Sequence, residues 1–220
     1  MKKIELDEIV LHDLKNPLSG ITGTIGLFKD GLLGPLTDEQ MKYVSLIDIS
    51  ARELAGIIFD LQAARKIEEK TFELERTAFA AEELLEQIDW LKALAERDGK
   101  RLTVEAEKKL IIHGDLKILT RIIENLVLNA IKQSERGGRV SLSIAAGKKG
   151  IDFEVAYSDG GLPREYISHL FDRTFKTDYP ELRAKAAPGI GFYFCKLAVE
   201  AQGGEIKAEK GAKLSFYLPV

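Results

Sequence analysis

Three groups of residues in this chain have types and spacings suited to chemistry. The first is His12-Asp13, followed by Lys15, Asn16 and Pro17 on a stretch with helical periodicity. A lone histidine on a helix is usually a surface residue. A carboxylate beside it, however, can accept a hydrogen bond from one imidazole nitrogen, fix the tautomer and leave the other nitrogen as the nucleophile. Asn16 stands one turn on at i+4, where its carboxamide can position a water or a phosphoryl oxygen. Pro17 weakens the hydrogen-bond ladder next to this group. The second group is Asn125, Asn129 and Lys132, at i, i+4 and i+7 on one face of a later helix. Two asparagines at this spacing read most simply as a solvated stripe. Two carboxamide oxygens and an ammonium also make a cradle for Mg2+ and polyphosphate, because Mg2+ takes oxygen ligands and keeps several waters. The third is Gly189 and Gly191 at the start of another helical segment, where a bare backbone can approach phosphate at a helix N-terminus.

Two kinds of element must position these groups, and the change from one to the other falls near residue 70. From Leu6 the apolar positions run Leu6, Val10, Leu14, Leu18, Ile21, Ile25 and Phe28, which predicts a helix of about seven turns. The segment Gly31–Gln40 supplies Gly, Pro and a Thr37-Asp38-Glu39-Gln40 start signal resembling a capping box. The second helix carries Val44, Ile47, Ala51, Leu54, Ile58 and Leu61, the three-four alternation of a helix packed in a bundle. Two helices alone bury too little apolar surface, so the hairpin predicts dimerisation into a four-helix bundle. Beyond Lys70, alternating stretches at 72–79, 101–106, 139–146, 151–157, 205–210 and 213–218 predict strands, with helices over about 81–97, 116–133 and 191–202. Helices interleaved with mostly antiparallel hairpins give an α/β sandwich. The fold class is therefore α+β: a helical hairpin domain over residues 1–70 and an α/β-sandwich domain over 71–220.

Composition narrows the function. Of 220 residues, 32 are Lys or Arg and 35 Asp or Glu, so there is no basic footprint for nucleic acid. No stretch approaches the roughly 18–20 apolar residues a membrane span needs, and MKKIELDEIVLHD breaks any signal-peptide core with charge. The chain reads as cytoplasmic, or as a cytoplasmic fragment, with no membrane contact of its own. A single cysteine, Cys195, excludes an internal disulfide and a cysteine-rich zinc site, and its place in a helix marks it as packing.

The segment HDLKNPL resembles the phosphoacceptor box of sensor histidine kinases, H-[ED]-x-x-[NT]-P, and the hairpin around it resembles their dimerisation and phosphotransfer domain. By that resemblance His12 is phosphorylated, Asp13 is its acid/base partner, and Asn16 orients water when a response regulator is dephosphorylated. The string ENLVLNAIKQS resembles the N box of the same family, which implies Asn125 and Asn129 at the metal and Lys132 at the phosphates. PGIGFYFCK resembles its G2 box, with Gly189 and Gly191 against phosphate, and LFDRTFKTD resembles its F box at Phe171 and Phe175. Residues 176–188 are then the lid over the nucleotide. The resemblance implies an ATP- and Mg2+-dependent autokinase that acts as a homodimer and passes phosphate to a receiver-domain aspartate. Gyrase-type relatives carry a catalytic Glu where this chain has Asn125. Glu124 is one residue off, turned about 100° around the helix, which argues against an ATP hydrolase.

One box departs from the pattern. The G1 box should read D-x-G-x-G-[IL]-P, its Asp accepting from the adenine amino group. Aligned without gaps on Gly161-Leu162-Pro163, it has Tyr157 at the Asp position and Asp159 at the first Gly; with a two-residue deletion, Asp159 takes the adenine role. Both positions point the same way on a strand, and the ungapped register is the one adopted. The departure opens two alternatives to the autokinase: an ATP-independent histidine phosphotransferase or phosphatase with a degenerate nucleotide site, and a pseudokinase scaffold. No sensor region precedes His12, so the expected signal enters through a partner or through a longer chain.

Overall fold

The structure, a computed structural model, describes residues 3–158, 167–178, 189–209 and 212–219. Its contacts form two compact units, Met1–Ala63 and Ala64–Val220.

The first unit is a helical hairpin built from α1 (Lys3–Lys29) and the greater part of α2 (Asp38–Glu68). Pro17 lies inside α1 and gives no N–H to the Asp13 carbonyl, yet the helix continues through it. At the end of α1, Leu32 N donates to Leu27 O (3.1 Å) and Gly31 N to Phe28 O (3.1 Å), with Gly31 at φ 73°. This paired closure requires a left-handed residue, which glycine supplies without strain. The capping box forms as the spacing predicts: Gln40 N donates to Thr37 Oγ1 (3.2 Å) and Thr37 N to Gln40 Oε1 (2.9 Å).

Packing splits the apolar stripe of each helix into two seams. On α1, Leu18 and Ile25 are buried with Leu11 half-buried one heptad earlier; on α2, Ala51 and Ile58 are buried with Val44 one heptad earlier. These close the hairpin. The residues offset by half a heptad remain open: Leu14 (43% exposed) and Ile21 (45%) on α1, with Ile47 (52%), Leu54 (45%) and Leu61 (39%) on α2. Across the hairpin, Asp48 accepts from Lys29 Nζ (2.9 Å), and along α2 it accepts from Arg52 Nε (3.2 Å).

The second unit runs β1 (Thr77–Ala80), α3 (Ala81–Ile88), α4 (Trp90–Arg97), β2 (Arg101–Ala106), β3 (Ile111–Gly114), α5 (Leu116–Gln133), β4 (Arg139–Ala146), β5 (Ile151–Tyr157), the single turn α6 (Phe175–Asp178), α7 (Ile190–Ala201), β6 (Glu205–Glu209) and β7 (Lys213–Leu218). Five strands form a mixed sheet in the order β2-β4-β5-β7-β6, and β1 pairs antiparallel with β3 in a separate ribbon. Val140, Leu142, Ile144, Phe153, Val155, Leu214 and Phe216 fill one face of the sheet, with Phe153 and Phe216 stacked at 4.4 Å. That face receives α5 and α7, while Asp152, Ser141 and Ser143 lie on the wet face, which makes a two-layer sandwich.

Three local expectations are corrected. The strand expected at 72–79 begins only at Thr77. The helix expected over 81–97 is two helices, because Asp89 N bonds Glu86 O three residues back (3.4 Å) and tightens the turn between them. Strand β3 has no counterpart in the sequence reading: four residues between Lys109 at φ 60° and the α5 cap are too few to show a period. Within the otherwise antiparallel sheet β2 pairs parallel to β4, its chain crossing over through β3 and α5.

Candidate functional site

In the hairpin unit, α1 presents His12 to solvent. The His12 side chain is 72% exposed and Asp13 71%, with Nδ1 and Oδ1 3.4 Å apart. When Nδ1 carries the proton it donates to the carboxylate, and Nε2 keeps its lone pair for an electrophile. The separation is long for a hydrogen bond. Asn16, on the next turn, is also exposed.

In the sandwich unit, Asp115 sets the start of α5. Its Oδ1 accepts from Ile118 N (3.1 Å) and its Oδ2 from Glu75 N (3.0 Å), and its own N–H donates to Gln202 Oε1 (3.2 Å) at the end of α7. Asp115 and Gln202 are buried, so this bridge fixes α5 against α7 in a place water does not reach. The apolar side of α5 packs Ile118, Ile122, Leu126 and Val127 into the core, which turns Asn125 and Asn129, both half-buried, along the flank. Lys132 is exposed one turn further on.

A polar chain that spacing alone did not reveal lies beside Asn125. Trp90 Nε1 donates to Glu124 Oε1 (3.1 Å), Arg121 Nη1 to Glu124 Oε2 (3.1 Å), and Arg121 Nη2 to Asn125 Oδ1 (3.1 Å). Glu124 is thus engaged on both oxygens. Arg121 precedes Asn125 by four residues, so the i,i+4 relation was present in the sequence; its burial was not.

Gly189 is the N-cap of α7 and makes no side-chain cap hydrogen bond among the described residues, and a helix N-terminus of this kind favours an anion. Gly191 follows within the first turn. Phe171 stacks on Phe192 at 5.5 Å, and Phe171 and Phe175 are both buried, so the F-box aromatics anchor their segment to the core. Arg173, between them, and Tyr193 both donate to Glu68 Oε1, at 3.1 and 2.6 Å. Burial, together with this bond to Glu68, pushes the Tyr193 phenol up to about 12. Cys195 is buried as packing. Tyr157 ends β5 opposite Val140, a residue of the helix-facing side, and burial raises its phenol above the ordinary value. Asp159, Gly161 and nearly all of the lid at 176–188 lie outside the described residues.

For a nucleotide and Mg2+ the residues present are a fit of a particular kind. Among the described residues no three His, Cys, Asp or Glu gather into a cage. The half-buried carboxamides of α5 offer one or two neutral oxygens, which suits a cation whose other ligands are phosphate and water. Among the described residues no helix is long and apolar enough to cross a membrane.

Comparison with known proteins agrees with both units. Residues 6–70 match the His Kinase A (phospho-acceptor) domain, and residues 114–220 match the histidine kinase-, DNA gyrase B- and HSP90-like ATPase domain. The chain is 31% identical over 216 residues to the histidine protein kinase DivJ of Caulobacter vibrioides, covering 95% of this chain and 36% of that protein. It is 26% identical to the sensor protein KdpD of Clostridium acetobutylicum (96% of this chain, 24% of that one) and 23% identical to the sensor histidine kinase WalK of Bacillus subtilis (96% and 35%). The chain therefore spans about a quarter to a third of these relatives. In fold it is similar to full-length ShkA in complex with AMPPNP (TM-score 0.65, 23% identity, 98% of this chain and 46% of that one) and to the catalytic domain of ThkA (0.56, 22%, 66% and 95%). With a phosphoacceptor domain and an ATPase domain in tandem, the chain belongs to the two-component sensor histidine kinases and carries their catalytic core.

Proposed function

We propose that this chain is an ATP-dependent autokinase in which His12 accepts the γ-phosphoryl group and passes it to an aspartate of a receiver domain. The observation that carries the reading is the exposed His12-Asp13 pair, which leaves Nε2 as the nucleophile. Nε2 attacks phosphorus; the N–P bond forms as the bond to the β–γ bridging oxygen breaks, and ADP departs with that oxygen's electrons. Asp13 holds the Nδ1 proton and offsets the positive charge the ring acquires. In the return step the receiver carboxylate displaces the histidine, and Asn16 is placed to orient water when the phosphoaspartate is hydrolysed.

In the sandwich unit Asn125, Asn129, Lys132, Gly189 and Gly191 form the nucleotide face, with Lys132 toward phosphate and Tyr157 at the adenine end of β5. Mg2+, held by Asn129 with Asn125 beside it, would supply charge neutralisation at the phosphates. The open seam of the hairpin supports a homodimer, with residues 1–70 as the dimerisation and phosphoacceptor domain and 71–220 as the catalytic domain. The two family matches favour this reading over phosphotransfer without ATP and over a scaffold. Incubation with γ-labelled ATP and Mg2+ is expected to give base-stable, acid-labile label that His12→Ala abolishes while the melting temperature is unchanged, His12 being exposed. Label that survives in His12→Ala, or no label on the unsubstituted dimer, would refute it.

A further inference from the structure

Arg121 is buried, permanently charged and placed in the middle of α5, where no fold requirement calls for a cation. Its charge is matched by Glu124, itself held by Trp90. A buried ion pair of this kind adds little stability over apolar side chains of the same volume, so its presence needs another reason. The second arm of the guanidinium supplies one, through its bond to Asn125 Oδ1 (3.1 Å). A guanidinium offers only N–H donors, so it can face only the oxygen of a carboxamide, never the nitrogen. The amide group of Asn125 is therefore held in one of its two flips.

We propose that Arg121 is a positioning residue that locks the Asn125 carboxamide with its oxygen inward and its Nδ2 as the edge offered to the nucleotide. This rests on the nucleotide reading above and divides the labour of the two asparagines. Asn125 acts as a hydrogen-bond donor toward a phosphate oxygen, and Asn129 is left as the α5 carboxamide whose oxygen holds the metal. Glu124 and Trp90 fix the guanidinium from the other side, so the order of action runs from Trp90 through Glu124 and Arg121 to Asn125.

The test is a double-mutant cycle on the intact chain, with AMPPNP binding measured by calorimetry in Mg2+ and again in EDTA. Asn125→Ala and Arg121→Met are each expected to weaken binding about tenfold, the size of one lost hydrogen bond to a charged acceptor. The double variant should bind within about threefold of Asn125→Ala, because Arg121 acts through Asn125. Both single losses should persist in EDTA, since a donor to phosphate does not need the metal. Unchanged affinity in Arg121→Met, multiplied losses near a hundredfold in the double variant, or losses that vanish in EDTA would each overturn the proposal. If Arg121→Met melts early, Arg121→Lys replaces it in the same cycle. Failure of the unsubstituted chain to bind AMPPNP would instead sink the nucleotide reading itself and this inference with it.

Discussion

Leu54 offers the sharpest test of the hairpin's open seam. It is 45% exposed, on a line with Ile47 and Leu61 one heptad to either side. Fully burying a leucine side chain is worth about 1.5–3 kcal/mol, so covering the exposed 45% is worth about 0.7–1.4 kcal/mol. A two-fold dimer repeats the contact, which doubles the figure to about 1.4–2.7 kcal/mol and raises the dimer dissociation constant roughly 10- to 100-fold in Leu54→Ala. Sedimentation equilibrium over a concentration series reads this directly. Leu32 is the control: it is 70% exposed, but it sits in the turn after α1 and off the seam, so Leu32→Ala should leave the constant unchanged. Equal shifts in the two variants would refute the seam, as would a dissociation constant for Leu54→Ala within a factor of about three of the parent.

Three further outcomes follow from particular contacts. Burial works to raise the Asp48 carboxyl, but Lys29 and Arg52 together bring it below its ordinary value near 3.8, so its contribution is complete above that value and lost as pH falls through the lowered one. Asp48→Asn should cost about 1 kcal/mol at neutral pH and flatten the acid limb of the melting curve; an unchanged limb would disprove the link. The Tyr193 phenol, raised to about 12, stabilises fully below the usual phenol range and loses that contribution as pH rises through about 12. Absorbance titration at alkaline pH should lose a phenol titrating near 12 in Tyr193→Phe and shift it down in Glu68→Gln, and neither change would appear if Tyr193 were freely solvated. At Gly204, just before β6, an added Cβ would collide with the Tyr217 carbonyl oxygen of the neighbouring strand β7, so Gly204→Ala should cost about 2 kcal/mol or more in thermal unfolding.

What the sequence made legible was local. The Thr37–Gln40 box, the ends of the two long helices and the face carrying Asn125, Asn129 and Lys132 depend on residues three to seven apart, and spacing states them. The division of Leu14 and Ile21 from Leu18 and Ile25 does not, because the α1 stripe is continuous and only the partner helix decides which half is covered. Strand β3 and the parallel union of β2 with β4 depend on pairings across a whole crossover, for which alternation carries no information. Arg121 shows the same limit at the site: its distance from Asn125 is written in the chain, but its burial, which gives the contact meaning, is a product of packing.

The parallel pairing of β2 with β4 also gives the two units different clocks. Most of the hairpin's hydrogen bonds are i to i−4 bonds within α1 and α2, which form without closing a long loop. The sandwich must bring Arg101 beside Arg139 and Thr77 beside Gly114 before its sheets are rewarded with burial, and such distant pairings are slow to form. The only tryptophan, Trp90, belongs to the slow unit and reports on it alone. On dilution from denaturant, helical circular dichroism from α1 and α2 should recover well ahead of Trp90 fluorescence, so that the dimer seam is available while the sandwich is still folding.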